Sequence, residues 1–196
     1  QLGQQLRPGV QGQVRPAEHG HVDDAVPGGD DPLRAEPLRR PAERGYGAAL
    51  DVRLTKDGRL AVIHDATLER MCGVPGRVAD WTAAALSALR LEGTEERIPF
   101  LEEVAPLFAG RAPLIVELKT DWRSAAELAR RTVECLDRFS IDYCVESFDP
   151  RPLLWLRRHR RWVLRGQLSQ NFHRHPSGQD PWNRLALTNL FYNAFT

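Results

Sequence analysis

The sequence predicts an α/β fold, a largely parallel sheet with helices packed outside it. Three observations predict it. Short Val-, Ile- and Leu-rich runs recur at 48–55, 59–63, 114–120, 141–145 and 163–168. Between most of them lie segments whose apolar residues repeat at helical spacing, and this alternation is the pattern of βαβ units. The 196 residues suffice for one hydrophobic core, which argues for a single domain. If such a sheet closes it forms a (β/α) barrel, whose functional groups gather at the carboxyl ends of the strands.

The first 45 residues differ from the rest. They hold six of the 14 prolines, no aromatic residue and no isoleucine. Too little apolar surface is available there to offset ordering entropy, so residues 1–45 are expected to be a low-complexity, poorly ordered or divergent segment and residues 46–196 the folded domain. Leu33, Leu38 and Ala42 carry a helical rhythm that Pro37 and Pro41 interrupt. His19, His21, Asp23 and Asp24 offer metal-binding side chains without a third ligand at fixed spacing.

Ala48 to Thr55 reads as a strand. Lys56-Asp57-Gly58 is a turn, Arg59 to Ile63 a second strand, and His64-Asp65 closes it. Cys72 to Gly76 is loop, and Asp80 or Thr82 caps a short helix in the following AAALSAL. Leu101, Val104 and Phe108 share a helical face limited by Pro106. Leu114 to Thr120 is near-continuously apolar, as in a buried parallel strand, except for Glu117 and the closing Lys119. The best helix spans 122–139. A strand over 141–145, a helix in RPLLWLRRHR and a strand over 163–168 follow.

Asp51, His64, Glu117 and Lys119 are the candidate site residues. A carboxylate inside an apolar strand is expensive to bury unless paired, neutralised or bound to metal. A plain ion pair of Glu117 with Lys119 on one strand face is the alternative. Two carboxylates from different strands make a hard oxygen site for Mg²⁺ or Ca²⁺, histidine serves as acid or base near neutral pH, and lysine balances phosphate charge. The set suits metal-assisted phosphoester hydrolysis.

Composition narrows the partners. A formal net charge of +1 gives no global field for nucleic acid or anionic lipid. The basic run Arg157 to Arg161, beside Trp155 and Trp162, reads as the wet end of a helix. No apolar run approaches a membrane span, and Cys72, Cys135 and Cys144 form no metal or disulfide spacing, so a cytoplasmic protein is expected. His173 and His175 are a weak metal signal. Oligomeric state is left open.

The run LDVRLTKDGRLAVIHDATLERMCG, then IPFLEEV, LIVELK and ESFDP, resembles the glycerophosphodiester phosphodiesterase family over roughly residues 45–170. The resemblance implies a TIM (β/α)8-type barrel, incomplete at the C-terminus. It implies metal-dependent hydrolysis of small-molecule glycerophosphodiesters to glycerol 3-phosphate and an alcohol. On it, Asp51 and Glu117 are the ligands of a divalent metal, Mg²⁺ or Ca²⁺. His64 and His19 are the catalytic histidines, and Lys119 contacts phosphate. The chain departs from the pattern at Ala49, where the family places a glutamate two residues before the aspartate. It also lacks the family's opening His-Arg-Gly and Pro-Glu-Asn segments and its later tryptophan-threonine strand. A truncated or frame-disturbed member is one expectation, because proline, arginine and glycine bias is what a GC-rich frame read in the wrong register produces. Three functional readings follow: an active phosphodiesterase, an impaired relative that binds without turnover, and, least supported, an Arg-rich nucleic-acid binder.

Overall fold

A computed structural model of the protein describes residues 36–121 and 124–169. Among the described residues five strands form one sheet in the order β2-β1-β3-β4-β5: β1 Ala48–Leu54, β2 Leu60–Val62, β3 Leu114–Leu118, β4 Tyr143–Ser147 and β5 Leu164–Gln167. β1, β3, β4 and β5 are parallel, and helices α4 (Leu101–Phe108), α5 (Ala125–Leu136) and α6 (Pro150–His159) connect them. This is the parallel arc of a (β/α) barrel, as expected.

Burial alternates along β1. Leu50, Val52 and Leu54 are buried with Leu114, Val116, Leu118 and Val145 beneath the helices, while Ala49, Asp51 and Arg53 lie on the opposite, inner face. Leu101, Val104 and Phe108 of α4, with Leu128, Ala129, Val133 and Leu136 of α5, complete that core. Pro106 sits inside α4 at the loss of one hydrogen bond, and the helix ends two residues later. The helix starts cleanly because the Glu103 carboxylate accepts from Phe100 N at 2.9 Å and pairs with Arg97.

β2 is the exception to the parallel rule. It returns antiparallel to β1, with Val52 opposite Val62 and Leu54 opposite Leu60, since a turn of a few residues permits a hairpin but no crossover. Gly58 has φ 79° there, and an added Cβ would stand 2.9 Å from the Arg131 guanidinium. Asp57 fastens the turn to the next element: it accepts from Thr55 Oγ1 at 2.6 Å and from Ala83 N at 2.9 Å, at the start of α3 (Ala83–Ser87), which Thr82 caps.

Residues 61–100 build a second small core of Ala61, Ile63, Leu68, Val78, Ala83, Leu86, Ile98 and Phe100 around the hairpin. Met71 and Cys72 of the short helix α2, Glu69–Cys72, pack against it.

A helix, α1, spans Glu36–Glu43 within the stretch expected to be poorly ordered. Ala42 is buried in the main core and Leu38 packs against it, so the rhythm of those two residues outweighs Pro41. Smaller differences concern ends: the helix expected over 122–139 runs from Ala125 to Leu136, and the strand expected over 141–145 is β4, two residues later. His19, His21, Asp23, Asp24, His173 and His175 lie outside the described residues.

Candidate active site at the carboxyl ends of the strands

Parallel pairing sets acids side by side on the inner face. Asp51 of β1 is in register with Glu117 of β3, and Glu117 with Glu146 of β4. Lys119, just past β3, places Nζ 2.8 Å from Glu117 Oε1 and 3.3 Å from Asp51 Oδ1, and 5.9 Å from the centre of the Phe148 ring. The expected pairing of Glu117 with Lys119 is therefore present, and the same ammonium also serves Asp51.

Electrostatics mark this face. Burial pushes the Glu117 carboxyl up, and the pull of Lys119 does not cancel it; the Asp51 charge adds to the rise. Glu146 is also raised, first by burial and then by Asp51. Carboxyls crowded in this way bind a proton or a cation more readily than isolated ones.

Asp51 is the fourth of seven residues in β1 rather than its end, because the strand continues into the hairpin. The hairpin brings the chain back: Ile63 N donates to Asp51 O at 3.0 Å, so His64 follows one residue after a direct backbone link to Asp51. The His64 side chain is 65 % exposed, and its Nδ1 lies 2.9 Å from Asp65 Oδ1. Asp65 is held in turn by Arg70 at 2.6 Å, and Arg70 together with His64 lowers its carboxyl to about 2 against the opposing effect of burial. The ring thus has Nδ1 engaged by a carboxylate.

The ESFDP segment is architectural apart from Glu146. Ser147 is fully buried; its hydroxyl donates to Leu118 O at 2.7 Å and accepts from Asp149 N at 3.1 Å. Asp149 accepts from Thr120 Oγ1 at 2.6 Å and from Arg151 N at 2.9 Å, capping α6. These bonds lock the loops after β3 and β4 together behind Lys119.

Of the expected site residues, the structure brings Asp51, Glu117 and Lys119 into contact and delivers His64 to the neighbouring loop; His19 lies outside the described residues. Ala49 is exposed on the inner face, two residues before Asp51. Glu146 and Arg53 were not singled out from the sequence. Glu146 carries the same signal as Glu117, an acid inside an apolar strand (YCVES), whereas nothing local distinguishes Arg53.

Among the described residues no group of three or more His, Cys, Asp or Glu side chains is arranged to hold a metal ion. Two carboxylates in register nevertheless match the donor set Mg²⁺ uses, since it commonly takes one or two protein carboxylates and fills its shell from water and phosphate. The residues present fit a divalent cation.

The described residues include no helix long and apolar enough to cross a membrane. The basic run ending α6 is engaged with aromatic rings: Arg160 lies 5.9 Å from the Trp155 ring centre and 5.7 Å from that of Trp162, and His159 stacks on Trp155.

Comparison with known proteins bears on the fold and the family. A glycerophosphodiester phosphodiesterase of Bacillus altitudinis is 36 % identical over 104 residues, covering 49 % of this chain and 42 % of the relative. One from Caldanaerobacter subterraneus is 40 % identical over 91 residues, covering 42 % and 37 %. The chain thus spans less than half the length of these relatives. Among solved structures, a phosphodiesterase of Oleispira antarctica in complex with the product sn-glycerol-3-phosphate shares the fold with a TM-score of 0.64 at 23 % identity, over 76 % of this chain and 63 % of that one. The glycerophosphodiester phosphodiesterase of Thermotoga maritima superposes with a TM-score of 0.56 at 28 % identity, over 69 % and 55 %. The family model for the glycerophosphoryl diester phosphodiesterase family matches residues 41–184. By that match over more than half of its length, the chain belongs to the glycerophosphoryl diester phosphodiesterase family.

Proposed function

We propose that this site hydrolyses glycerophosphodiesters to glycerol 3-phosphate and an alcohol with a divalent metal, and that the reaction is cytoplasmic. The observation that carries the reading is the in-register Asp51–Glu117 pair bridged by Lys119, with His64 delivered beside it by the hairpin. Family membership and the names of the relatives support the substrate class. The free thiols of Cys72, Cys135 and Cys144 suit a reducing compartment.

Asp51 and Glu117 would hold Mg²⁺ or Ca²⁺. When bound, the cation supplies Lewis-acid polarisation of a phosphoryl oxygen. Lys119, already at the carboxylates, offers its ammonium to another phosphoryl oxygen. Water adds to phosphorus and gives up a proton, the bond from phosphorus to the alcohol oxygen breaks, and the departing oxygen takes a proton. His64 is placed to move that proton at Nε2, while Asp65 on Nδ1 fixes the tautomer and stabilises the charged ring. His19 remains the candidate for the second proton-transferring histidine.

A second reading has one observation in its favour. Ala49 removes a carboxylate from the inner face, which favours a relative that binds phosphodiesters without turnover. Calorimetry and product assay with glycerophosphocholine, each with and without Mg²⁺ or Ca²⁺, separate the two: metal-dependent release of glycerol 3-phosphate supports the hydrolase, and heat of binding without product supports the impaired relative.

A further inference from the structure

Three consecutive residues of β1 each pin one part of the site. The carbonyl of Asp51 accepts from Ile63 N at 3.0 Å, and the carbonyl of Val52 accepts from Lys119 N at 3.1 Å. Arg53 reaches across the hairpin with its side chain: Nε and Nη2 donate to the His64 carbonyl at 3.0 and 2.8 Å. The first two links are backbone bonds any sequence would make in this register. The third depends on one side chain.

Arg53 shares the inner face with Asp51, and its guanidinium is partly buried, which disfavours its charged form. A guanidinium withdrawn from water needs well-made acceptors. The charges of Asp121, Asp51 and Asp65, and of Arg77 with the opposite effect, act on it, and both of these short bonds go to the His64 carbonyl. Two charge-assisted bonds from one rigid fork hold a peptide plane more firmly than one neutral bond. The exposed His64 side chain needs such a hold, because His64 follows β2 and stands outside the strand ladder.

We infer that Arg53 is a positioning residue of the site: its guanidinium fixes the peptide of His64 beside Asp51 and so fixes where the imidazole delivers its proton. This rests on the hydrolase reading for the role of His64, but the structural part is testable without turnover.

The experiment compares the full chain with Arg53→Ala, Arg53→Lys and, as a control on the same hairpin, Arg59→Ala, which breaks an outer pair with Glu102. Backbone ¹⁵N order parameters of His64 and Asp65 are measured without metal, and kcat and KM with glycerophosphocholine and Mg²⁺. Arg53→Ala should lower the order parameters of His64 and Asp65 from about 0.85 to below about 0.6. It should reduce kcat roughly 10- to 100-fold with KM within about twofold, the signature of a displaced catalytic group. Arg53→Lys should recover part of both, and Arg59→Ala should change neither. Unchanged order parameters in Arg53→Ala overturn the inference, as does a raised KM with kcat intact, which would make Arg53 a substrate contact. If the parent shows no turnover the hydrolase reading fails, and the order parameters still decide the role of Arg53. If Arg53→Ala does not fold, Arg53→Lys decides on the same criteria.

Discussion

Individual side chains set the proposed chemistry. His64→Ala should remove the proton-transferring ring and lower kcat by about 10²- to 10⁴-fold without a matching change in metal affinity, measured by product release and calorimetry. Ala49→Glu should add a hard oxygen ligand on the inner face. We expect it to tighten Mg²⁺ or Ca²⁺ binding by about tenfold or more, and an unchanged calorimetric Kd would show that residue 49 does not reach the ion. The acids also carry a pH signature. Glu146 has a raised folded pKa, so its contribution to stability is fully present below the ordinary carboxylate range and is lost as pH rises through the raised value. Glu146→Gln should therefore raise Tm at pH 7 in metal-free buffer, and the gain should vanish near about pH 4. Asp65 has the opposite sign: held at about 2, it stabilises the fold above its usual pKa and loses that effect as pH falls toward 2.

Elements place those side chains, and the hairpin matters most. Asp57 joins its turn to the start of α3 through Thr55 Oγ1 and Ala83 N. Asp57→Ala should cost about 1 kcal/mol, the usual effect of losing a helix-terminal oxygen acceptor, read as a lower denaturation midpoint at constant m. In the main core, Phe108 of α4 is fully buried against the sheet. Phe108→Ala should cost about 3–5 kcal/mol by leaving a cavity. Periodicity made most of these elements legible, because apolar runs and helical stripes report burial directly. Two features escaped it. The helix over 36–43 contains a proline and is stabilised by Leu38 and Ala42 on the core, a tertiary contribution that local propensity does not contain. The reversed direction of β2 follows from turn length, which was visible in Lys56-Asp57-Gly58, whereas its consequence, the return of residue 63 to Asp51, was not.

At the scale of the whole molecule, the parallel arc presents an inner face with exposed apolar groups. Leu164 on β5 is 71 % exposed and Ile115 on β3 is 36 % exposed, below the row of acids. The sequence by itself determined the α/β class, the order of strands and helices, the family, and the candidates Asp51, His64, Glu117 and Lys119. Each of these follows from local pattern: alternation, turn chemistry, an acid in an apolar run, and motifs that match a family in order. Only the tertiary structure decided which of them meet. Parallel register aligned Asp51, Glu117 and Glu146 across three strands, a relation between residues as far apart as 51 and 146 that no local pattern encodes. It also turned Arg53 from an unremarkable strand residue into the clamp on His64, because a hairpin brings residues 53 and 64 together and a side chain's partner is set by the fold around it.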